Sequence, residues 1–142
     1  MNSDSDRLRV KAEELDYASE LFYTYKGMPF TGVTYEDEPG KWLSEVSYRD
    51  GLQDGVARDW YPSGGLKGES WYKENTLHGR SRDYSEDQVV ISEKIYEYGI
   101  LVRRAAWDDA GRQIDSWAID AGGSVFGLLR RYRAEKQWPA VD

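Results

Sequence analysis

GVARDWYPSGGLKGESWYKEN, residues 55–75, reads as strand, turn, strand, turn. Gly55 to Tyr61 is rich in residues that suit a pleated surface, and Pro62-Ser63-Gly64-Gly65 is turn punctuation. Leu66 to Tyr72 forms the second run, and Lys73-Glu74-Asn75 closes it. The pattern is not solitary. Tyr72 has counterparts 24 residues away on either side, at Tyr48 and Tyr96. Glu45, Glu69 and Glu93 stand three residues before these tyrosines, and Gly51, Asn75 and Gly99 three after. Gly32, Gly55 and Gly79 open the units, and Trp60, Tyr84 and Trp107 recur before the mid-unit turn. Self-similarity at a fixed period marks an array of one supersecondary unit. The period accommodates two strands of about six or seven residues with two turns. The expected fold is all-β: an elongated single-layer antiparallel meander of about four hairpin repeats.

The flanks are less regular. Residues 1–29 read as a loose leader (1–9), a segment ambiguous between helix and strand (10–20), and a first strand at Leu21–Tyr25. Lys26-Gly27-Met28-Pro29 makes a turn. The repeats occupy 30–120, with Glu36 to Gly40 as the turn of the first unit. The fourth unit is degraded, with Arg103 where glycine is expected. Residues 121–142 change period. Val125, Leu128, Leu129 and Tyr132 fall on one face of a short C-terminal helix, with Ser124 placed to cap it. Such a helix would protect the last strand or pack over Trp71.

Alternation assigns two faces to the second strand of each unit. One carries Trp42, Ser44, Val46, Tyr48, then Leu66, Gly68, Ser70, Tyr72, then Val90, Ser92, Lys94, Tyr96. This is the expected packed face. The other carries Leu43, Glu45, Ser47, then Lys67, Glu69, Trp71, then Ile91, Glu93, Ile95. A glutamate stripe on an open face is the expected result, its members roughly 9.6 Å apart across two strand spacings. Trp71 shares that face, as an anchor residue would.

Composition narrows the function classes. The 142 residues suit one domain, and the hydrophobic share of 39% includes 11 Tyr and 6 Trp. Such rings suit a layer wet on one side, not a thick aliphatic core. A net charge of -7 argues against nucleic acid and fits a basic protein partner. Without cysteine there is no disulfide or thiolate metal site, and the natural expectation is a cytoplasmic protein. Neither a signal peptide nor a membrane-spanning run stands out.

The unit from Gly55 to Asn75 resembles the MORN repeat, and more closely its longer bacterial variant. Gly27-Met28-Pro29-Phe30-Thr31-Gly32-Val33 is similar to the opening many such proteins show before their first full unit. The resemblance covers residues 21 to 115. It implies a β-meander of successive hairpins and carries no catalytic residue. Bacterial members are called YwqK-type antitoxins, and some resemble immunity proteins. That implies neutralisation of a toxin by protein–protein contact.

Candidates for chemistry are few. His78, the lone histidine, lies in a turn beside Gly79 and has Asp54 and Val102 as counterparts. It reads as a surface residue, not a general base. Asp108-Asp109, Glu36-Asp37-Glu38 and Glu13-Glu14 sit in expected turns and read as solvated charge. No metal-ligand spacing or phosphate loop is present, and no cofactor is called for. The expectation is therefore a binding protein that covers a basic toxin with Glu45, Glu69, Glu93 and Trp71. Tyr48, Tyr72, Tyr96, Trp60, Tyr84, Trp107, Gly32, Gly55 and Gly79 serve the fold. A generic scaffold is the first alternative. A small enzyme or ligand binder, with a pocket between sheet and helix, is the second.

Overall fold

Both strands expected within residues 55–75 form in the computed structural model of the protein, and their neighbours repeat them. The structure describes residues 8–19, 21–39 and 42–141, with Trp42 as backbone only. Most of the expected leader, Gly40 of the expected first turn and the expected face of Trp42 lie outside the described residues. Twelve strands and one helix are described. They are β1 (Arg9–Lys11), β2 (Asp16–Ser19), β3 (Phe22–Tyr25), β4 (Met28–Pro29), β5 (Gly32–Glu38) and β6 (Trp42–Arg49). Then come β7 (Leu52–Trp60), β8 (Leu66–Lys73), β9 (Thr76–Tyr84), β10 (Val90–Glu97), β11 (Ile100–Trp107), β12 (Gln113–Ala118) and α1 (Ser124–Lys136).

Strands β5 to β12 pair strictly in chain order and antiparallel, as an open meander, and β1 adds to β5 in parallel. A separate three-stranded sheet contains β2, β3 and β4. The described part of the ambiguous segment 10–20 resolves into the end of β1, a 3-10 turn (Ala12–Glu14) and all of β2. Two expected boundaries shift. Glu36, Asp37 and Glu38 belong to β5, not to a turn, and β7 starts at Leu52, ahead of Gly55. Glu36, Asp37 and Glu38 pair with Ser44, Leu43 and Trp42, and after the two-residue turn Asp50-Gly51 pairing resumes at once with Leu52 opposite Arg49.

Those two-residue turns carry the repeat. Lys26-Gly27, Asp50-Gly51, Glu74-Asn75 and Tyr98-Gly99 all have positive φ at both positions. This is the type I′ conformation, whose twist matches that of paired strands. Asn75 takes the place that glycine holds elsewhere, at φ 67°. Its Oδ1 accepts the Gln53 N–H at 2.7 Å and its Nδ2 donates to Leu21 O at 3.2 Å. Asn75→Gly should cost only these bonds, about 0.5–1 kcal/mol. Asn75→Ala adds left-handed strain and should lose about 2 kcal/mol in total in urea unfolding. Equal stability of the two variants would contradict this reading.

The core sits at one end of the sheet. Phe30, Tyr48 and Val10 are buried, with Leu15, Tyr23, Tyr25 and Val46 packed on them. Ring edges meet faces throughout: Tyr23 on Tyr48 at 5.6 Å, Phe30 on Tyr48 at 5.7 Å, Tyr25 on Phe30 at 6.0 Å. Burial pushes the Tyr48 hydroxyl above its ordinary pKa.

The helix caps a different place from the two expected. Arg133 grips the buried Glu97 with two hydrogen bonds, of 2.9 and 2.7 Å. Tyr98 stacks on Trp138 at 5.0 Å, and its hydroxyl accepts the Trp138 N–H at 3.1 Å. His78, expected at the surface, is buried beneath this tail. Its Nδ1 accepts the Tyr98 N–H at 3.0 Å, so Nε2 holds the proton and donates to Pro139 O at 2.7 Å. Both ring nitrogens are thereby used structurally. The helix buries only Leu129, and Val125, expected on the packed face, is half exposed. Gly123, not Ser124, is the N-cap, and no side chain caps it.

Candidate interaction surface

The middle of the sheet is where the two faces must be judged, because cross-strand partners decide what each charge meets. Register places Tyr35, Glu45, Arg58, Glu69, Arg82 and Glu93 side by side on β5 to β10. Successive partners in an antiparallel sheet share a face. The row therefore alternates in sign from Glu45 to Glu93. Arg58 Nε donates to Glu69 at 2.8 Å, and Arg82 Nε to Glu93 at 2.7 Å. Arg9, reaching over from β1, stacks on Tyr35 at 4.1 Å and bonds Glu45 at 2.7 Å. The hydrogen bond that Arg82 donates to Glu93 raises the Arg82 pKa above its ordinary value.

The expected acidic stripe is thus corrected. Glu45, Glu69 and Glu93 are on one face, but each is neutralised by arginine. Arg80 and Arg103, both opposite Ile95, add further positive charge to this ladder face. The signal lay in the sequence and was missed. Arg58 and Arg82 are themselves 24 residues apart, each three after a unit glycine. Reading only the second strand of each unit left them out.

The opposite face, expected to be the packed one, is packed only where Val46 and Tyr48 join the core. Further along it holds the unpaired carboxylates, which come from the first strand of each unit. Here one row runs Glu36, Ser44, Asp59, Gly68, Asp83, Ser92, Ala106, Asp115. Acidic residues stand on β5, β7, β9 and β12, with small residues between. Asp115 is bonded by Arg104 at 2.8 Å. Glu36, Asp59 and Asp83 are exposed and form no ion pair among the described residues. The next row on the same face is also low: Ala57, Ser70 and Ser81, the last donating to Ser70 Oγ at 2.9 Å. This carboxylate face offers a partner a flat floor with uncompensated negative charge.

Trp71 remains 41% exposed and is not covered by α1. It lies on the ladder face, against β9. A Cβ at Gly79 would approach the Trp71 Cβ to 2.9 Å, so the bare glycine at φ 133° makes room for the indole. Gly55 stands in the same relation to Ser47, at 3.2 Å. Gly32 approaches the Leu8 carbonyl instead. The tyrosines grade in burial, with Tyr48 buried and Tyr72 and Tyr96 half-buried. Trp60, Tyr84 and Trp107 are half-buried at strand ends, and Tyr61 Oη donates to Tyr84 O at 2.5 Å.

A cleft of about 390 Å³ lies between β5, β6, β7 and the turn after Tyr61, lined by Glu36, Asp59, Trp60, Tyr61 and Lys67 among others. It is lined by β5 to β8 and the turn after Tyr61, not by the sheet–helix junction, where the second alternative would place a small-molecule pocket. Asp108 is a turn clamp: its carboxylate accepts the N–H groups of Arg112 and Ala110, each at 2.9 Å. These bonds hold its pKa below the ordinary value. Among the described residues no helix is long and apolar enough to cross a membrane. Neither a family model nor a curated protein matches the sequence.

Proposed function

We propose that this chain is a non-catalytic, MORN-like binding protein of the immunity kind, which neutralises a basic protein by covering its working surface. The observation that supports this reading is the carboxylate face. Exposed, unpaired Glu36, Asp59 and Asp83 rise at alternate strands above Ser44, Gly68 and Ser92. A surface of this kind presents charge without a bulky side chain to block approach. Unlike the ladder glutamates, Glu36, Asp59 and Asp83 form no ion pair among the described residues, so no salt bridge has to break before a partner's lysines or arginines dock. The cations of this face, Lys94 and the Asp115-bound Arg104, stand toward β10 to β12. Charge of this sort governs on-rate and specificity more than affinity.

The role first expected of Glu45, Glu69 and Glu93 passes to Asp59 and Asp83 on this reading. The ladder glutamates are engaged within the fold. Trp71 faces the other way and cannot serve the same flat contact.

The test is co-expression with the product of the adjacent reading frame, followed by co-purification and association kinetics at low and high salt. A rescued toxic neighbour is the expected finding. Asp59→Lys with Asp83→Lys should slow association by about tenfold or more at low salt, with the fold intact. An unchanged rate and an unchanged salt dependence would sink the mechanism.

A further inference from the structure

The sheet ends at β12, and among the described residues no strand pairs with its outer edge. All of β12 except Asp115 is exposed, including Ile114 at 67% and Trp117 at 40%. Helix α1, expected to protect this edge, is engaged by Glu97 and Tyr98 instead. The outward backbone groups follow from the register. Ile119 donates its N–H to Val102 O at 2.7 Å, and Ala118, Trp117 and Ser116 stand opposite Arg103, Arg104 and Ala105. Antiparallel ladders alternate inward and outward pairs. Ile119 and Trp117 therefore bond toward β11, and Ser116 and Ala118 turn both N–H and C=O away from the sheet.

Exposed edges are ordinarily blunted by lysine, proline or charge at the outward positions. Ser116 and Ala118 are small and uncharged, and no proline occurs in the strand. We infer that β12 pairs antiparallel with β12 of a second copy, about a two-fold axis at Trp117, joining two nine-stranded sheets into one. Such an axis sets Ser116 against Ala118 of the second copy twice over, so four backbone hydrogen bonds form from the groups now unfilled. It sets Asp115 against Ile119, which keeps the two carboxylates apart. An axis at Asp115 would oppose them directly. Trp117 meets its own mate at a non-hydrogen-bonded position, where cross-strand side chains approach most closely and aromatic pairs stabilise. The edge is thus complementary to itself in charge, shape and bonding.

This inference is independent of the carboxylate-face reading and can fail separately. The full chain should have twice its monomer mass by light scattering at about 200 µM, a concentration that reveals even weak self-association. The Ser116 and Ala118 amides should exchange more slowly as concentration rises. Ser116→Pro removes only an outward N–H, so it should give a monomer with the melting temperature of the diluted native chain. Trp117→Lys, which keeps the backbone intact and opposes two cations, should weaken the dimer at least tenfold. A native chain that stays monomeric at about 200 µM overturns the inference. So does a dimer that survives both substitutions.

Discussion

Phe30→Ala should be the most destabilising single truncation in this protein, costing about 3–5 kcal/mol. Phe30 is 1% exposed and packs edge-to-face against both Tyr25 and Tyr48. It also lies under the β5 backbone, where a Cβ at Gly32 would come within 2.9 Å of its Cζ. The ring is the plug between the small sheet and the first strands of the meander. Its backbone is fixed as well: Phe30 N–H donates to Tyr23 O at 3.1 Å, and its carbonyl accepts the Gly51 N–H at 2.8 Å. The cavity left by alanine therefore cannot collapse by a simple shift of chain. The other buried apolar side chains, Ile95, Tyr98 and Leu129, lie outside this cluster and cannot fill the gap. Against a total stability of about 5–15 kcal/mol, a loss of this size leaves a chain near its unfolding midpoint at 37 °C. Urea unfolding checks it, with Phe30→Leu retaining at least half of the lost stability. A cost for Phe30→Ala below about 1 kcal/mol, the ordinary effect of a point mutation, would show that the core lies elsewhere.

The fold was legible because the repeat is written in backbone-determining residues. Gly51, Asn75 and Gly99 force a left-handed turn. The tyrosines three residues earlier mark the repeat but not a uniformly packed face: Tyr48 is buried in the core, whereas Tyr72 and Tyr96 are half-buried on the face that carries Asp59 and Asp83. The same series extends to Gly27, one period ahead of Gly51. The helix was legible as an element from Val125, Leu128, Leu129 and Tyr132. Its docking was not, because the contacts that hold it come from Glu97, His78, Trp138 and Pro139, residues with no periodic signature. Burial of His78 was hidden for the same reason: a turn in sequence says nothing about a tail that returns from 61 residues away. The candidate surface was half legible. Periodicity found the glutamates but could not tell which neighbour each would meet. That depends on register, and the irregularities opposite Ser47 and Trp71 let β7 and β9 carry extra residues relative to β6 and β8 without shifting the row.

The ladder itself predicts a large effect on stability. Arg58→Glu combined with Arg82→Glu would turn Glu45–Arg58–Glu69–Arg82–Glu93 into five adjacent carboxylates. Four cross-strand pairs, now attractive, would become repulsive. Each opposite-charge pair contributes about 0.2–1 kcal/mol, and like charges directly opposite cost a similar amount. Both arginines are about one-third exposed at the side chain, so solvent screening keeps the total toward the low end. The expected loss is about 3 kcal/mol at low ionic strength. Raising salt to about 1 M shrinks the screening length to about 3 Å and should recover a third or more of it. Asp59→Arg with Asp83→Arg is the matched control. It makes the same number of charge reversals on the other face, where Ser44, Gly68 and Ser92 are the neighbours. That variant should stay within about 0.5 kcal/mol of the native chain. A ladder variant as stable as the control, or one indifferent to salt, would show that the alternation is incidental. The predicted contrast separates the two roles of charge in this sheet. On the ladder face it is consumed in holding strands together, and on the carboxylate face Glu36, Asp59 and Asp83 take no part in that among the described residues.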